Sequence, residues 1–190
     1  MKSYSGPVSL PCKEEEIHAA VEDLKGSSVL GFDTETRPTF KKGQHYLPSL
    51  VQLAGKQSVY LFQIKQCEVI DPLFELMEQE GVVKTGIALS RDLSDLKGIR
   101  EFEPRGFVDS ASIASSLQFE KTGLRNLCGM LLGFRISKKA QVSNWARQEL
   151  TAEQIRYAAT DAWVSREIYL AMRSEFPEKF SDEKEGRVAT

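Results

Sequence analysis

The sequence predicts an α/β fold in which a mixed sheet of five to six strands is flanked by helices. Two strand patterns at residues 49–54 and 58–62 are joined by a short turn, and with an earlier apolar strand they are typical of an antiparallel meander. Helices and strands then alternate from residue 72 to residue 109, and nearly every later pattern is helical. An antiparallel meander followed by alternating elements predicts a mixed sheet covered by helices.

The predicted boundaries follow the spacing of the apolar residues. Residues 13–25 show helical spacing, and Gly26 ends that run. A long last helix is predicted from about Thr151 to Arg173, because Gln154 follows Thr151 at the spacing of a capping box. The other helices are predicted at residues 72–79 and 90–97, and the strands at residues 29–33, 49–54, 58–62, 82–87 and 106–109.

The composition is typical of a globular protein: of 190 residues, 41% are hydrophobic and 27% are charged. We predict one domain over residues 1–176 and a charged, frayed tail over residues 177–190. No apolar run reaches the roughly 18 residues of a membrane span, and the first residues lack the apolar stretch of a signal peptide. We therefore expect a cytoplasmic protein without a membrane partner. Three scattered cysteines and two histidines form no zinc-binding pattern.

Asp33 and Glu35 are the first candidate site residues, because they directly follow the apolar residues 29–32. Side chains two apart on a strand share a face, so both carboxylates can point at one spot. A divalent cation would relieve their repulsion, and oxygen ligands without His or Cys suit Mg²⁺ or Mn²⁺. Such a pair is a weak motif by itself, and two solvated loop acids are the alternative.

The last predicted helix supplies a second pair, Tyr157 and Asp161, which lie four residues apart and therefore share a helix face. Alanines at positions 158, 159 and 162 let this helix approach a neighbour closely. Because burying Asp161 without a partner would be costly, a functional role is favoured over an aspartate that pairs with arginine or caps a loop. Tyr157 considered alone is better explained as a core tyrosine.

Asp92 is a third candidate, in the first turn of a predicted helix that follows a buried strand. The helix dipole favours a negative charge at that position, so helix stabilisation alone would also account for it. Asp95 lies one residue off the apolar stripe of Leu93 and Leu96, and we expect it to be solvated.

In chain order these motifs resemble the DEDD exonucleases. They are FDTET at residues 32–36, the strand–helix unit that carries Asp92, and YAATDA at residues 157–162. The tyrosine four residues before the last aspartate is similar to the tyrosine branch of that superfamily, which includes ribonuclease D and the exonuclease domain of the Werner syndrome protein. The segments SLVQL at residues 49–53 and SNW at residues 143–145 add to the resemblance, which covers roughly residues 8 to 173.

The resemblance implies a ribonuclease H-like fold and a 3′→5′ exonuclease that shortens DNA or RNA and releases nucleoside 5′-monophosphates. It also implies two divalent metal ions, Mg²⁺ or Mn²⁺, held by Asp33, Glu35, Asp92 and Asp161. Tyr157 would orient the attacking water, because a hydroxyl with a reference pKa near 10 is mostly protonated at neutral pH and is a weak base.

One threonine and several basic or aromatic residues near the motifs are candidates for holding nucleic acid. They are Thr36, Arg37, Lys41 and Lys42 after the first motif, and Lys138, Lys139 and Trp145 before the last helix. An ordinary solvated charge run explains the basic residues equally well. Trp145 would be able to stack on a base, although packing is favoured for it. The net charge of −2 gives no overall attraction for nucleic acid, so any grip is local.

Two other function classes stay open at this point. A catalytically silent nuclease-fold module would bind nucleic acid or serve as an adaptor through the same surface, although the complete acidic set argues against it. A hydrolase of nucleotides or small phosphoesters would use similar acids, and the lack of a Gly-rich phosphate loop disfavours only an NTPase. The oligomeric state and the choice between DNA and RNA are not readable from the sequence.

Overall fold

The computed structural model of the chain describes residues 1–39, 41 and 43–180. In this part of the chain six strands form one sheet: β1 (Val8–Ser9), β2 (Val29–Thr36), β3 (Pro48–Ala54), β4 (Val59–Gln63), β5 (Val83–Gly86) and β6 (Phe107–Asp109). The strand order is β1-β4-β3-β2-β5-β6. The pairs β2–β3 and β3–β4 are antiparallel, whereas β1–β4, β2–β5 and β5–β6 are parallel. The predicted mixed sheet is confirmed. Strand β1 has two residues and is too short to show the two-residue alternation of a strand.

Six helices cover the sheet among the described residues: α1 (Glu14–Lys25), α2 (Asp71–Met77), α3 (Ser90–Lys97), α4 (Ser110–Ser116), α5 (Leu124–Leu131) and α6 (Ala152–Glu175). The predicted capping box of α6 is present. The Gln154 backbone N–H donates to Thr151 Oγ1 over 3.2 Å, and the Thr151 N–H donates to Gln154 Oε1 over 3.0 Å. The strand predicted at 29–33 continues to Thr36, because β3 pairs with it as far as Pro48.

The alternating side chains of β2 divide between two layers. Leu30 and Phe32 pack into a core with α1 and α2, whereas Val29 packs with α4, α5 and α6 on the other face. Gly31 lies on the α6 face, where an added Cβ would come within 1.9 Å of the Ala162 carbonyl oxygen. Helix α6 therefore lies directly on the central strand, and only a residue without a side chain fits at the crossing point.

The chain packs further than predicted at its end. Residues 177–180 form a 3₁₀ turn, and Phe180, which is 7% exposed, packs edge-on against Tyr169 with ring centroids 5.3 Å apart. The first four residues of the predicted tail therefore pack against the domain, because Phe180 buries its ring against α6. Residues 181–190 lie outside the described part. No helix that the structure describes is both long and apolar enough to cross a bilayer.

Candidate active site

The site lies where β2 extends beyond the end of β5, its parallel neighbour. Strand β5 pairs with residues 29–31 of β2 only, so beyond Gly31 one edge of β2 has no strand beside it. Burial along β2 changes at the same point, from fully buried residues up to Phe32 to half-buried residues from Asp33 onwards. Asp33 and Glu35 share the α6 face with Gly31 because strand side chains alternate. The sheet topology thus leaves an opening at the two carboxylates.

Helix α6 supplies the third carboxylate. Ala158, Ala159 and Ala162 are buried against the sheet, and their small side chains bring the helix close to β2. Asp161, which is 5% exposed, consequently meets the pair on the strand. One carboxylate oxygen from each of Asp33, Glu35 and Asp161 lies within 4.8 Å of the other two. The structure therefore brings together three of the four predicted metal ligands.

Burial is the largest cause of a raised pKa at each of these carboxyl groups. The pKa of Asp161 rises from 3.8 to about 7, and that of Glu35 rises from 4.5 to about 10. The pKa of Asp33 lies well above its ordinary 3.8 because of burial and then the charge of Asp161. Three carboxyl oxygens without a nitrogen or sulfur ligand fit a hard divalent cation such as Mg²⁺ or Mn²⁺. Without a cation, protonation relieves the repulsion between these carboxylates. A bound cation would offset the repulsion instead.

Asp92 lies beside this cluster rather than within it. It occupies the first turn of α3, as predicted, and its Oδ1 accepts a hydrogen bond of 2.5 Å from the Thr34 hydroxyl. Its charge contributes to the raised pKa values of Asp33 and Glu35, after burial and the nearer carboxylates. Its own pKa is also raised, mainly by burial. Asp92 thus adds negative charge to the site from a greater distance than the other three carboxylates.

Asp95 is not solvated as expected. Its carboxylate lies 3.0 Å from His45 Nε2 and 3.6 Å from Arg91 Nε, and only 16% of its side chain is exposed. His45, from the segment before β3, contacts Asp95, and the helical stripe alone does not reveal this contact.

Tyr157 lines the same cavity as the three clustered carboxylates. Its hydroxyl interacts with the Asp161 carboxylate, and this contact lowers the pKa of Asp161. Burial, followed by the charges of Asp161 and Glu35, raises the pKa of Tyr157 far above 10. The hydroxyl therefore stays protonated and serves as a hydrogen-bond donor throughout the physiological pH range.

Gln52 is a site residue that the sequence analysis did not select. It lies opposite Asp33 in the β2–β3 register and is fully buried. Neither its Nε2 nor its Oε1 has a hydrogen-bond partner among the described residues, although its amide lies close enough to Glu35 to lower the pKa of that carboxyl group. A glutamine inside the apolar SLVQLA strand was the available signal, because buried polar groups usually have partners.

The cavity around the carboxylates has a volume of about 440 Å³, and much of its wall comes from the segment between α4 and α6. Arg125 and Asn126 of α5 and Gln141 of the following loop line it and were not predicted. The Arg125 guanidinium lowers the pKa of Asp161, after burial and Tyr157 in order of effect. No periodic pattern marks these residues, because only packing of α5 beside α6 brings them to the site.

The predicted nucleic-acid contacts fall in different places. Lys138 lines the carboxylate cavity, and Lys139 lines a smaller cleft beside Tyr157. Thr36 is half-buried at the end of β2, whereas Arg37 and Lys41 line a separate groove of about 440 Å³. Lys42 lies outside the described residues.

Trp145 lies in the core, with 1% of its surface exposed. Its ring packs against that of Tyr157, with centroids 5.9 Å apart. The structure excludes base stacking by Trp145 because no face of the ring is open to a ligand. Packing, the favoured interpretation of the sequence, is what the structure shows, and the contact supports the catalytic candidate Tyr157.

A family model described as 3′-5′ exonuclease matches residues 10–177. The chain belongs to the 3′-5′ exonuclease family. Among its relatives, DNA polymerase I of Aquifex aeolicus is 31% identical over 160 residues, which is 84% of this chain and 26% of that protein. The bifunctional 3′-5′ exonuclease/ATP-dependent helicase WRN of Mus musculus is 32% identical over 154 residues, which is 77% of this chain and 11% of that protein. The chain thus spans about a quarter or less of these relatives.

Solved structures in this exonuclease family share the fold. The EXO domain of Aedes aegypti Nibbler has a TM-score of 0.85 and 25% identity, covering 97% of each chain. Escherichia coli RNase D has a TM-score of 0.77 over 96% of this chain and 51% of its own, and at 16% identity this likeness shows the fold alone. The resemblance to Werner-type and ribonuclease D-type exonucleases and the ribonuclease H-like fold are confirmed.

Proposed function

We propose that this chain is a 3′→5′ exonuclease that hydrolyses nucleic acid by a two-metal-ion mechanism and releases nucleoside 5′-monophosphates. The observation that carries the proposal is the cluster of Asp33, Glu35 and Asp161, whose oxygens lie within 4.8 Å of one another in a cavity that Tyr157 also lines. Membership of the exonuclease family supports the same reaction.

The acidic residues would hold two divalent ions, Mg²⁺ or Mn²⁺. Asp33, Glu35 and Asp161 would be direct ligands, and Asp92 would contribute from its position beside Thr34. Bound divalent ions supply a water of lowered pKa and charge stabilisation for the leaving oxygen. Gathering several carboxylates in one buried spot raises their pKa values and thereby stores a repulsion that cation binding relieves.

Tyr157 would orient the attacking water. Its raised pKa keeps the proton on the hydroxyl, so it donates a hydrogen bond and does not act as a base. The Asp161 carboxylate and the Trp145 ring hold the tyrosine from two sides. A side chain restrained in this way pre-organises the water at little entropic cost.

Basic side chains around the cavity would hold the phosphates. Lys138 lines the cavity itself, and Arg125 lies close enough to influence Asp161. Lys139 lies in the adjoining cleft, and Arg37 and Lys41, in their separate groove, are proposed as weaker, peripheral contacts. Thr36 and Lys42 are proposed as contacts from the sequence alone. Because the relatives bear names of both DNA and RNA enzymes, the substrate class is nucleic acid with either sugar.

The test is digestion of 12-nucleotide DNA and RNA strands, each labelled in turn at the 5′ end and at the 3′ end, with Mg²⁺ or Mn²⁺. A 3′→5′ exonuclease converts the 5′-labelled strands to a ladder and releases a labelled mononucleotide at once from the 3′-labelled strands. EDTA and Asp33→Asn should each abolish the ladder, because EDTA removes the metal ions and the substitution removes one of their charged ligands.

The outcomes separate the alternatives. If the wild-type protein binds the strands but does not shorten them with either metal ion, the chain is a silent binding module and the proposal fails. If it hydrolyses a mononucleotide or p-nitrophenyl phosphate as fast as the strands, it is a small-phosphoester hydrolase. A 5′-monophosphate that co-migrates with a marker confirms which phosphodiester bond is cut.

A further inference from the structure

The segment between α4 and α6 differs in charge from the rest of the chain. Residues 121–147 contain six Lys or Arg residues and no Asp or Glu, whereas the whole chain has 25 basic and 27 acidic residues. Such an excess of positive charge on one stretch of the chain is suited to binding a negatively charged partner. Because this stretch also lines the carboxylate cavity, its partner must coexist with the substrate of that site.

A second groove, of about 800 Å³, is lined by residues of this segment and by the four residues that precede it, 117–120. Three of the residues that line it are basic, namely Lys121, Arg125 and Arg135, and one is acidic, Glu120. Neither Lys121 nor Arg135 forms a salt bridge with an acidic residue in the described part of the chain, and both are exposed. Their charges are therefore available to a ligand.

The groove has apolar walls and a fixed shape. Phe119, Phe134 and Met130 line it, and Met130 is 51% exposed. The Phe134 ring stacks on Trp163 with an interplanar angle of 12° and centroids 5.7 Å apart. The Arg135 carbonyl accepts a hydrogen bond of 2.8 Å from the Lys2 backbone N–H. Basic and aromatic side chains in one groove are the combination that binds single strands through phosphates and bases.

The groove adjoins the active site. Arg125 and Asn126 line both the groove and the carboxylate cavity. That cavity, of about 440 Å³, is of the size that encloses one small ligand, so the rest of a strand must leave it across the surface. The cleft beside Tyr157 is smaller, at about 240 Å³, and the groove at Arg37 shares no lining residue with the cavity.

We propose that this second groove binds the upstream part of a single nucleic-acid strand whose 3′ end occupies the carboxylate cavity. The inference rests on the proposed exonuclease function and extends it. Arg125 and Asn126 lie at the junction, where the strand passes from the cavity to the groove, and Lys121 and Arg135 pair with phosphates further upstream. Substrates long enough to reach these two residues gain affinity that short substrates lack.

The test compares kcat/KM for 12-nucleotide and 3-nucleotide strands, as DNA and as RNA, between the wild type and the double variant Lys121→Ala/Arg135→Ala. We expect kcat/KM for the 12-nucleotide strand to fall on the order of tenfold through KM, and the slope of log affinity against log salt to shrink by about 1.4. The 3-nucleotide strand should lose less than twofold. The charge-conserving variant Lys121→Arg/Arg135→Lys should retain the wild-type preference for length.

A matched control removes two charges elsewhere. Lys56→Ala/Lys65→Ala changes two exposed lysines that line neither the cavity nor the groove, and it should leave both substrates unaffected. If Lys121→Ala/Arg135→Ala acts equally on both lengths, or no more than the control, the groove assignment is overturned. If the wild-type protein shortens no strand at all, the proposed function fails instead, so the two failures are distinguishable.

Discussion

Asp161→Asn is expected to stabilise the metal-free protein while abolishing turnover. The Asp161 carboxyl group titrates near 3.8 in the unfolded chain and at about 7 in the folded protein. Because the folded protein holds the Asp161 proton more tightly than the unfolded chain does, the stability that this group contributes is fully present below the unfolded pKa. It is lost as the pH rises from about 4 to 7, the folded pKa. The shift corresponds to about 4 kcal/mol above pH 7 and to about 2 kcal/mol at pH 5.

Asparagine carries no charge, so the variant avoids this loss of stability. The folded pKa of about 7 already includes the contacts of the charged group with Tyr157 and Arg125, so their loss carries no further cost. The gain in unfolding free energy should therefore be about 4 kcal/mol at pH 8 and about 2 kcal/mol at pH 5. Adding Mn²⁺ should stabilise the wild type strongly and the variant weakly, because binding to the folded state alone shifts stability by mass action.

The measurement is urea unfolding followed by tryptophan fluorescence, in EDTA at pH 8 and pH 5 and then with Mn²⁺. Glu149→Gln, at an exposed position without a salt bridge in the described residues, is the matched control and should change stability by less than about 0.5 kcal/mol at both pH values. If Asp161→Asn is no more stable than the wild type at pH 8 in EDTA, burying the charge of Asp161 is not a significant cost. A gain that is the same at both pH values would also refute the reasoning.

Three further substitutions test other contacts. Tyr157→Phe should slow single-turnover hydrolysis on the order of tenfold to hundredfold and leave Mn²⁺ stabilisation intact; an unchanged rate would remove its role in orienting water. Gln52→Leu should raise the stability measured by urea unfolding by about 1 kcal/mol, since it removes a buried amide without a hydrogen-bond partner among the described residues. It should also lower kcat because Glu35 loses its neighbour; a variant less stable than the wild type, or one with the wild-type kcat, would contradict this. Gly31→Ala should lower the free energy of unfolding in urea by at least about 2 kcal/mol and weaken Mn²⁺ binding, because its Cβ would displace α6 at Ala162. Wild-type stability of this variant would show that the crossing tolerates a side chain.

The sequence predicted those parts of the molecule that depend on neighbours along the chain. The 3.6-residue period located α1, and the capping box at Thr151 fixed the start of α6 within one residue. Two-residue alternation placed Asp33 and Glu35 on one face of β2. Asp92 was correctly placed in the first turn of α3.

Packing decided what the same patterns left open. Trp145 is buried and not a base platform, Asp95 is paired and not solvated, and Phe180 belongs to the core. Each depends on a contact with a residue distant in sequence, such as Tyr157 for Trp145 and His45 for Asp95. Local patterns cannot distinguish an apolar ring that a partner covers from one that a ligand would cover.

The carboxylate cluster shows most clearly what the sequence determined and what the tertiary structure decided. The chain by itself determined which acids are candidates, because spacing within β2 and α6 sets the face on which each side chain lies. Only the tertiary structure decided that Asp161 joins Asp33 and Glu35 within 4.8 Å while Asp92 stays beside Thr34. The physical reason is the crossing of α6 over Gly31, where the helix backbone comes closer to the strand than a Cβ would allow; this close approach fixes which charges share one site.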